Sequence, residues 1–104
     1  MSGAPSAVLD ALGDGTRRQV FELLRTGPQS VGQLAARLPV SRPAVSQHLK
    51  ALKSAGLVSD EADGRQRRYR VERAGVAALR DWLDEFWTEA LGAFSAFVAT
   101  EERT

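Results

Sequence analysis

A mostly helical chain with one small β-hairpin, in the order α-α-α-α-β-β-α, is the fold class that this sequence predicts. Three observations predict it. Two short, capped helical patterns flank a tight turn at residues 39–41, two extended runs meet around Asp63-Gly64, and a long helical pattern fills residues 74–99. Two helices joined by a three- or four-residue turn and followed by a β-ribbon make a winged helix-turn-helix. The 104 residues amount to a single domain, 1–104, without repeats, low-complexity tracts or a linker.

Each element has its own local warrant. Residues 1–5 read as a loose start, and residues 7–12 form a short apolar helix that Gly13-Asp14-Gly15 breaks. Thr16 is expected to N-cap a second helix carrying Val20, Phe21, Leu23 and Leu24, which Gly27-Pro28 stops. Ser30 and Gln33 have capping-box spacing, so a third helix buries Val31, Leu34, Ala35 and Leu38 and ends after two turns at Pro39. Ser41 caps the fourth helix, where Pro43 is tolerated in the first turn, and Gly56 suits the position just past its end. Residues 57–61 and 67–71 are the two strands.

The net charge of +1 conceals an asymmetry. Residues 30–73 hold nine Lys/Arg against four Asp/Glu, a surplus of five positive charges, whereas residues 74–104 hold two against six, a surplus of four negative ones. A basic middle is the electrostatic footprint of a polyanion partner. On a helical wheel the fourth helix places Val45, Leu49 and Leu52 on one face and Pro43, Gln47, Lys50 and Ser54 opposite, with Ser46 at the side. Amide, hydroxyl and ammonium groups of this length suit base edges and phosphates. Ser41, Arg42 and the free first-turn amides are placed for a phosphate. Arg65, Arg67 and Arg68 crowd the expected hairpin tip, which suits phosphate contacts or a narrow minor groove. The bland counterparts are a solvated helix face and an edge hairpin kept soluble by charge. The two basic features adjoin, which favours double-stranded DNA.

The chain has no cysteine and a single histidine, His48. That leaves no thiolate metal site, no disulfide and no cysteine nucleophile, and a lone histidine cannot build a zinc or nickel site. No catalytic constellation, metal or cofactor is expected, so the chain is not read as an enzyme. His48 sits at the border of the buried face, with a packing role or a DNA-backbone contact open to it. With no signal peptide, targeting motif or membrane-length apolar run, the expected location is the cytoplasm and no membrane partner is expected.

The segment from Leu34 to Val58, reading LAARLPVSRPAVSQHLKALKSAGLV, resembles the signature of the ArsR/SmtB family of winged-helix repressors. The stretch ALGDGTRR at residues 11–18 resembles that family's start to helix two, and Asp63-Gly64-Arg65 with Arg68-Tyr69-Arg70-Val71 resembles its wing. The likeness covers residues 7–87. It implies a homodimer, a palindromic operator and repression, often of the regulator's own operon, and it puts Ser46, Gln47 and His48 at or near the DNA. The DNA-binding set is therefore Ser41, Arg42, Ser46, Gln47, His48, Lys50, Arg65, Arg67 and Arg68. Metal-sensing members carry cysteines in the third helix or near the N-terminus, or His/Asp/Glu clusters on the last helix. Here the third helix has no thiol, and the last has Asp81, Asp84, Glu85 and Glu89 without histidine. The chain is most similar to the metal-independent members, and an unknown small-molecule or protein effector is left open.

Apolar residues on the last helix span close to half its circumference, more than the stripe of a little over 100° that one small core needs. Two Trp and three Phe lie in this segment, and aromatic residues are enriched in buried interface centres. A homodimer through Leu79, Leu83, Phe86, Trp87 and Phe94, joined by Val8, Leu9 and Leu12 of the first helix, is expected, with 74–99 as the dimerisation helix. A monomer whose last helix wraps its own core, and a ligand pocket lined by these aromatics, are the alternatives. The runner-up function is a winged-helix protein-interaction module without DNA binding.

Overall fold

The computed structural model describes residues 5–102. Helix α1 spans Pro5–Leu12 and α2 Gly15–Leu23, followed by a 3₁₀ turn, Leu24–Thr26. Then come α3 (Val31–Ala35), α4 (Arg42–Ser54), β1 (Val58–Asp63), β2 (Gln66–Val71) and α5 (Arg73–Glu102). The order is the expected one. The loose start expected at residues 1–5 lies outside the described residues except for Pro5, which opens α1. That position tolerates proline because a first-turn amide has no helical acceptor.

Two helix ends differ from expectation. Asp14, not Thr16, caps α2: its Oδ1 accepts from the Arg17 amide at 2.9 Å. A carboxylate satisfies a free first-turn amide and also complements the positive helix end, so the helix starts early enough to enclose Thr16. The Arg17 amide, the largest influence, holds the Asp14 carboxyl below its ordinary value. Helix α3 is a little over one turn, not two. Its capping box forms, with Gln33 N–H donating to Ser30 Oγ at 3.2 Å and Ser30 N–H to Gln33 Oε1 at 2.9 Å. Beyond Ala35 the bonds tighten to three-residue spacing, Arg37 N–H to Leu34 O and Leu38 N–H to Ala35 O. Pro39 disfavours helical geometry at the residue before it, which ends the helix early.

The core is where the four short helices and the hairpin root converge. Val8, Val20, Leu34, Val45, Leu49, Leu52 and Leu57 are wholly buried, with Leu24 and Val58 nearly so. Val8 corrects one expectation. It packs into the chain's own core, and Leu9, 43% exposed, takes the outward place on α1. Leu12 and Leu79 also lean on this core and are half-buried. Gln29 stitches the elements together. Its backbone bridges Tyr69 in both directions, at 2.9 and 2.8 Å, its amide donates to Leu23 O, and its Oε1 accepts from Arg37.

β1 and β2 are antiparallel with Val58 opposite Val71 and Asp63 opposite Gln66. The tip is the two-residue turn Gly64-Arg65, for which Gly64 takes φ +63°. α5 leaves the body soon after its start. The described chain is 69 Å long with a radius of gyration of 18.5 Å, against about 13 Å for a compact chain of near 100 residues.

The root of α5 is set by backbone contact. Gly75 is buried, and a Cβ built there would lie 2.6 Å from the Gly56 carbonyl carbon and 3.1 Å from Leu57 N, overlapping the carbonyl oxygen. On a free helix, Gly→Ala gains roughly 1 kcal/mol. Here the overlap reverses the sign. Gly75→Ala is expected to lower the unfolding free energy by about 1–3 kcal/mol, read as a lower denaturant midpoint at unchanged slope.

Candidate nucleic-acid interface

α4 presents two chemically distinct faces because its apolar residues recur at helical spacing. Val45, Leu49 and Leu52 are buried, while Ser46, Gln47 and Lys50 are exposed. Ser41 Oγ accepts from the Ala44 amide at 3.3 Å, so that hydroxyl caps the helix from an exposed position. His48 is half-buried, and its Nδ1 is buried without a hydrogen-bond partner among the described residues. It borders the α2 cap that Asp14 forms.

The wing sorts its arginines differently from the sequence expectation of three at the tip. Arg65 occupies the tip, exposed and unpaired among the described residues. Arg67 and Arg68 lie on β2 and are tied back to β1. Arg68 Nε is 2.6 Å from Asp63 Oδ2, with both side chains about half exposed. Arg67 Nε donates to Asp60 Oδ2 at 2.6 Å. The register is the cause. Asp60 faces Tyr69 and Asp63 faces Gln66, so each carboxylate has an arginine on its diagonal, and the two pairs fall on opposite faces of the ribbon. Arg70 donates to Ser59 Oγ at 3.1 Å on the Arg68 side.

Asp60 is the best-buried carboxylate in these pairs, its side chain 6% exposed. It also receives Lys53, from the last turn of α4, at 2.6 Å. Lys53 first and Arg67 second hold its carboxyl below the ordinary value, against desolvation. The pair is therefore intact above the usual carboxylate range and is lost as pH falls beneath it. Sequence reading missed Lys53 and Asp60, because nothing in linear spacing brings a helix end to a strand's third residue.

Between the starts of α3 and α4 and the strand β2 lies a cleft of about 540 Å³, lined by Ser30, Gly32, Gln33, Arg42, Gln66 and Arg67 among others. The Arg42 guanidinium lies across Gly32, its Nη2 3.2 Å from where a Cβ would stand. Two arginines, Arg42 and Arg67, and two glutamines, Gln33 and Gln66, thus line one concave surface. Gly32 and Gln66 were not singled out in the sequence, since their part depends on the hairpin folding back over α3. Among the described residues no three His, Asp or Glu side chains converge as a metal site, and no helix is long and apolar enough to cross a membrane.

On α5 the other expected set divides. Leu83 is 41% exposed, Phe86 53%, Trp87 57% and Phe94 63%. Trp82 stacks on Phe86 at 5.7 Å, and Phe86 meets Trp87 edge-on at 6.2 Å. These rings cover one another and leave an aromatic surface facing outward.

Residues 14–60 match the sequence profile described as bacterial regulatory protein, arsR family. The chain is 52% identical to the HTH-type transcriptional regulator Rv2034 of Mycobacterium tuberculosis, over 94% of this chain and 92% of that one. It is 32% identical to the transcriptional repressor SdpR of Bacillus subtilis, over 76% of this chain and 88% of that one. Among solved structures it is similar to the homodimeric winged helix-turn-helix DNA-binding domain Mb0332 of Mycobacterium bovis, with TM-score 0.64 and 32% identity over 81% of this chain and 77% of that one. The helix-turn-helix, the hairpin wing and these likenesses agree: the chain belongs to the ArsR family of bacterial regulatory proteins, and it is a winged helix-turn-helix transcriptional regulator, not an enzyme.

Proposed function

We propose that this chain is a repressor that binds a palindromic double-stranded DNA operator as a homodimer, with α4 in the major groove and the wing against the backbone beside it. The observation that carries the reading is the exposed polar face Ser46, Gln47 and Lys50 on α4, in a molecule that also has a cleft lined by Arg42 and Arg67 and an exposed Arg65, unpaired among the described residues, at the wing tip. Ser41, Arg42, Arg67 and Arg68 serve the phosphates in this reading, and His48 approaches the backbone from the edge of the face.

Pairing through residues 74–99 within a single domain, 1–104, is supported by the outward aromatic surface of α5 and by the homodimeric state named for the Mycobacterium bovis domain. One reading helix covers a few base pairs, whereas a two-fold pair spaced about 34–36 Å apart reads two successive major grooves. Leu83, Phe86, Trp87 and Phe94 are the anchors, with Leu12 and Leu79 behind them and Leu9, without the buried Val8, contributing from α1. A repressor of this kind works in the cytoplasm. An effector has room in a second cavity of about 520 Å³, whose lining includes Phe21, Leu24, Arg25, Pro28, Arg70, Val71 and Val76.

The direct test is footprinting on the chain's own promoter. A protected, two-fold symmetric site supports the reading; a chain with no DNA affinity returns the function to a protein-interaction module. Within a protected site, Gln47→Ala is expected to cost about 1–3 kcal/mol on the operator and less on random duplex, whereas Arg65→Ala should weaken both and flatten the salt dependence by roughly one unit of slope. Equal losses on both DNAs would remove Gln47 from base reading.

Burying a large apolar side chain contributes about 1.5–3 kcal/mol. Trp87→Glu combined with Phe94→Glu is therefore expected to give a monomer that no longer holds the operator. Sedimentation of wild type and variant at micromolar concentration checks this, and a folded monomer with full operator affinity would defeat the dimer reading.

A further inference from the structure

We propose that Asp60 is a positioning residue that sets DNA specificity: its carboxylate ties Lys53 and the Nε edge of Arg67 together, withdrawing charge from indiscriminate phosphate binding while fixing the Arg67 guanidinium for one geometry. This rests on the reading that the wing lies against the DNA backbone.

Two cations from different elements converge on Asp60 at 2.6 Å each, Lys53 from the last turn of α4 and Arg67 from β2. One would neutralise the carboxylate, so the trio keeps a net charge of one positive where a free pair of side chains would present two. The carboxylate is 6% exposed, while Lys53 and Arg67 are each 55% exposed. The clamp is therefore seated in the protein, and its cations face water. Asp60 holds Arg67 by Nε alone. The two terminal nitrogens have no partner among the described residues, and Arg67 is one of the residues lining the cleft beside Arg42. A guanidinium pinned along one edge is a planar fork of fixed direction, which suits a phosphate oxygen pair in one place and not elsewhere. Lys53 ties that direction to the reading helix itself, so the wing fork and the base-reading face share one rigid reference.

Other arginines of the ribbon differ in kind. The Arg68 pair is about half exposed on both sides and involves no other element, and Arg65 is unpaired. Asp60 is the carboxylate that couples the wing to α4.

The test uses the full chain, an operator fragment defined by wild-type footprinting, a random duplex of equal length, and a salt series on each. Asp60→Asn keeps the shape and removes the charge. Its affinity for random duplex is expected to rise, with a salt slope steeper by about one unit, and its operator-to-random ratio to fall about tenfold. Equal scaling of both affinities, or an unchanged random-duplex affinity, overturns the proposal. Arg67→Lys keeps the charge and loses the fork, and it decides the matter even where Asp60→Asn does not fold. Operator affinity should fall about tenfold with random-duplex affinity unchanged, whereas wild-type behaviour of Arg67→Lys overturns the proposal. A wild-type chain without preference for any DNA sequence removes the underlying DNA-binding reading and the proposal with it, an outcome distinct from the variant results.

Discussion

The meeting of Gly75 with the Gly56-Leu57 backbone is the constraint on which the remaining architecture turns. Four elements end or begin there. Leu57 N–H closes α4 by donating to Leu52 O at 3.0 Å, and Glu72 N–H, leaving β2, donates to Leu57 O at 2.8 Å. Val58 and Val71 open the ladder one residue away on each side. Gly56 adopts φ +80° to let the chain reverse, and Gly75 brings the first turn of α5 against that reversal. The helix α4, the hairpin and α5 are thereby joined through main-chain atoms, which have no rotamers through which to relax. The side-chain core beneath, Leu49, Leu52 and Leu57, supplies the burial that keeps the joint closed.

Electrostatics then divides the basic middle of the chain into separate tasks. A raw surplus of positive charge would bind any polyanion. The carboxylates of β1 partner two of the wing's arginines, while Arg65 remains unpaired at the turn and Lys50 remains exposed on the helix. Charge in this molecule is held in directed pairs as well as displayed. The acidic surplus lies instead along α5, where Asp84, Glu85 and Glu89 sit beside the aromatic surface and far along the chain from the basic cleft. Such segregation separates a basic region around α4 and the hairpin from an apolar, acid-flanked one along α5.

Much of this was legible in the residues. The helical period of Val45, Leu49 and Leu52 determined which side of α4 is buried, and therefore that Gln47 and Lys50 are exposed. The capping box of Ser30 and Gln33 and the cap at Ser41 were readable because each satisfies a local donor within three residues. Less local features were not. Thr16 and Asp14 are both competent caps, and the choice between them depends on where the preceding helix releases the chain. Pro39 marks the end of α3, but not that the helix tightens before reaching it. Val8 and Leu9 are both apolar on one short helix, and which one enters the core depends on how α1 leans on its neighbours. The sorting of Arg65, Arg67 and Arg68 required the hairpin register, which a two-residue turn shifts relative to a longer one. Asp60 and Lys53 meet through tertiary structure alone.

The 30 residues of α5 form a rod about 45 Å long, anchored at one end by the Gly75 contact. Such a rod is a lever. A tilt of about 5° at the joint displaces the far end by about 4 Å, and the reverse also holds: a displacement of the far end relative to the body is, at the joint, a small rotation of the body carrying α4. In the proposed two-fold assembly each body would turn in this way, so the spacing of the two α4 helices would follow the geometry of the paired rods. Under that proposal the length of α5 bears on where on a duplex the pair can sit: a longer rod turns a given displacement of its far end into a smaller rotation of the body.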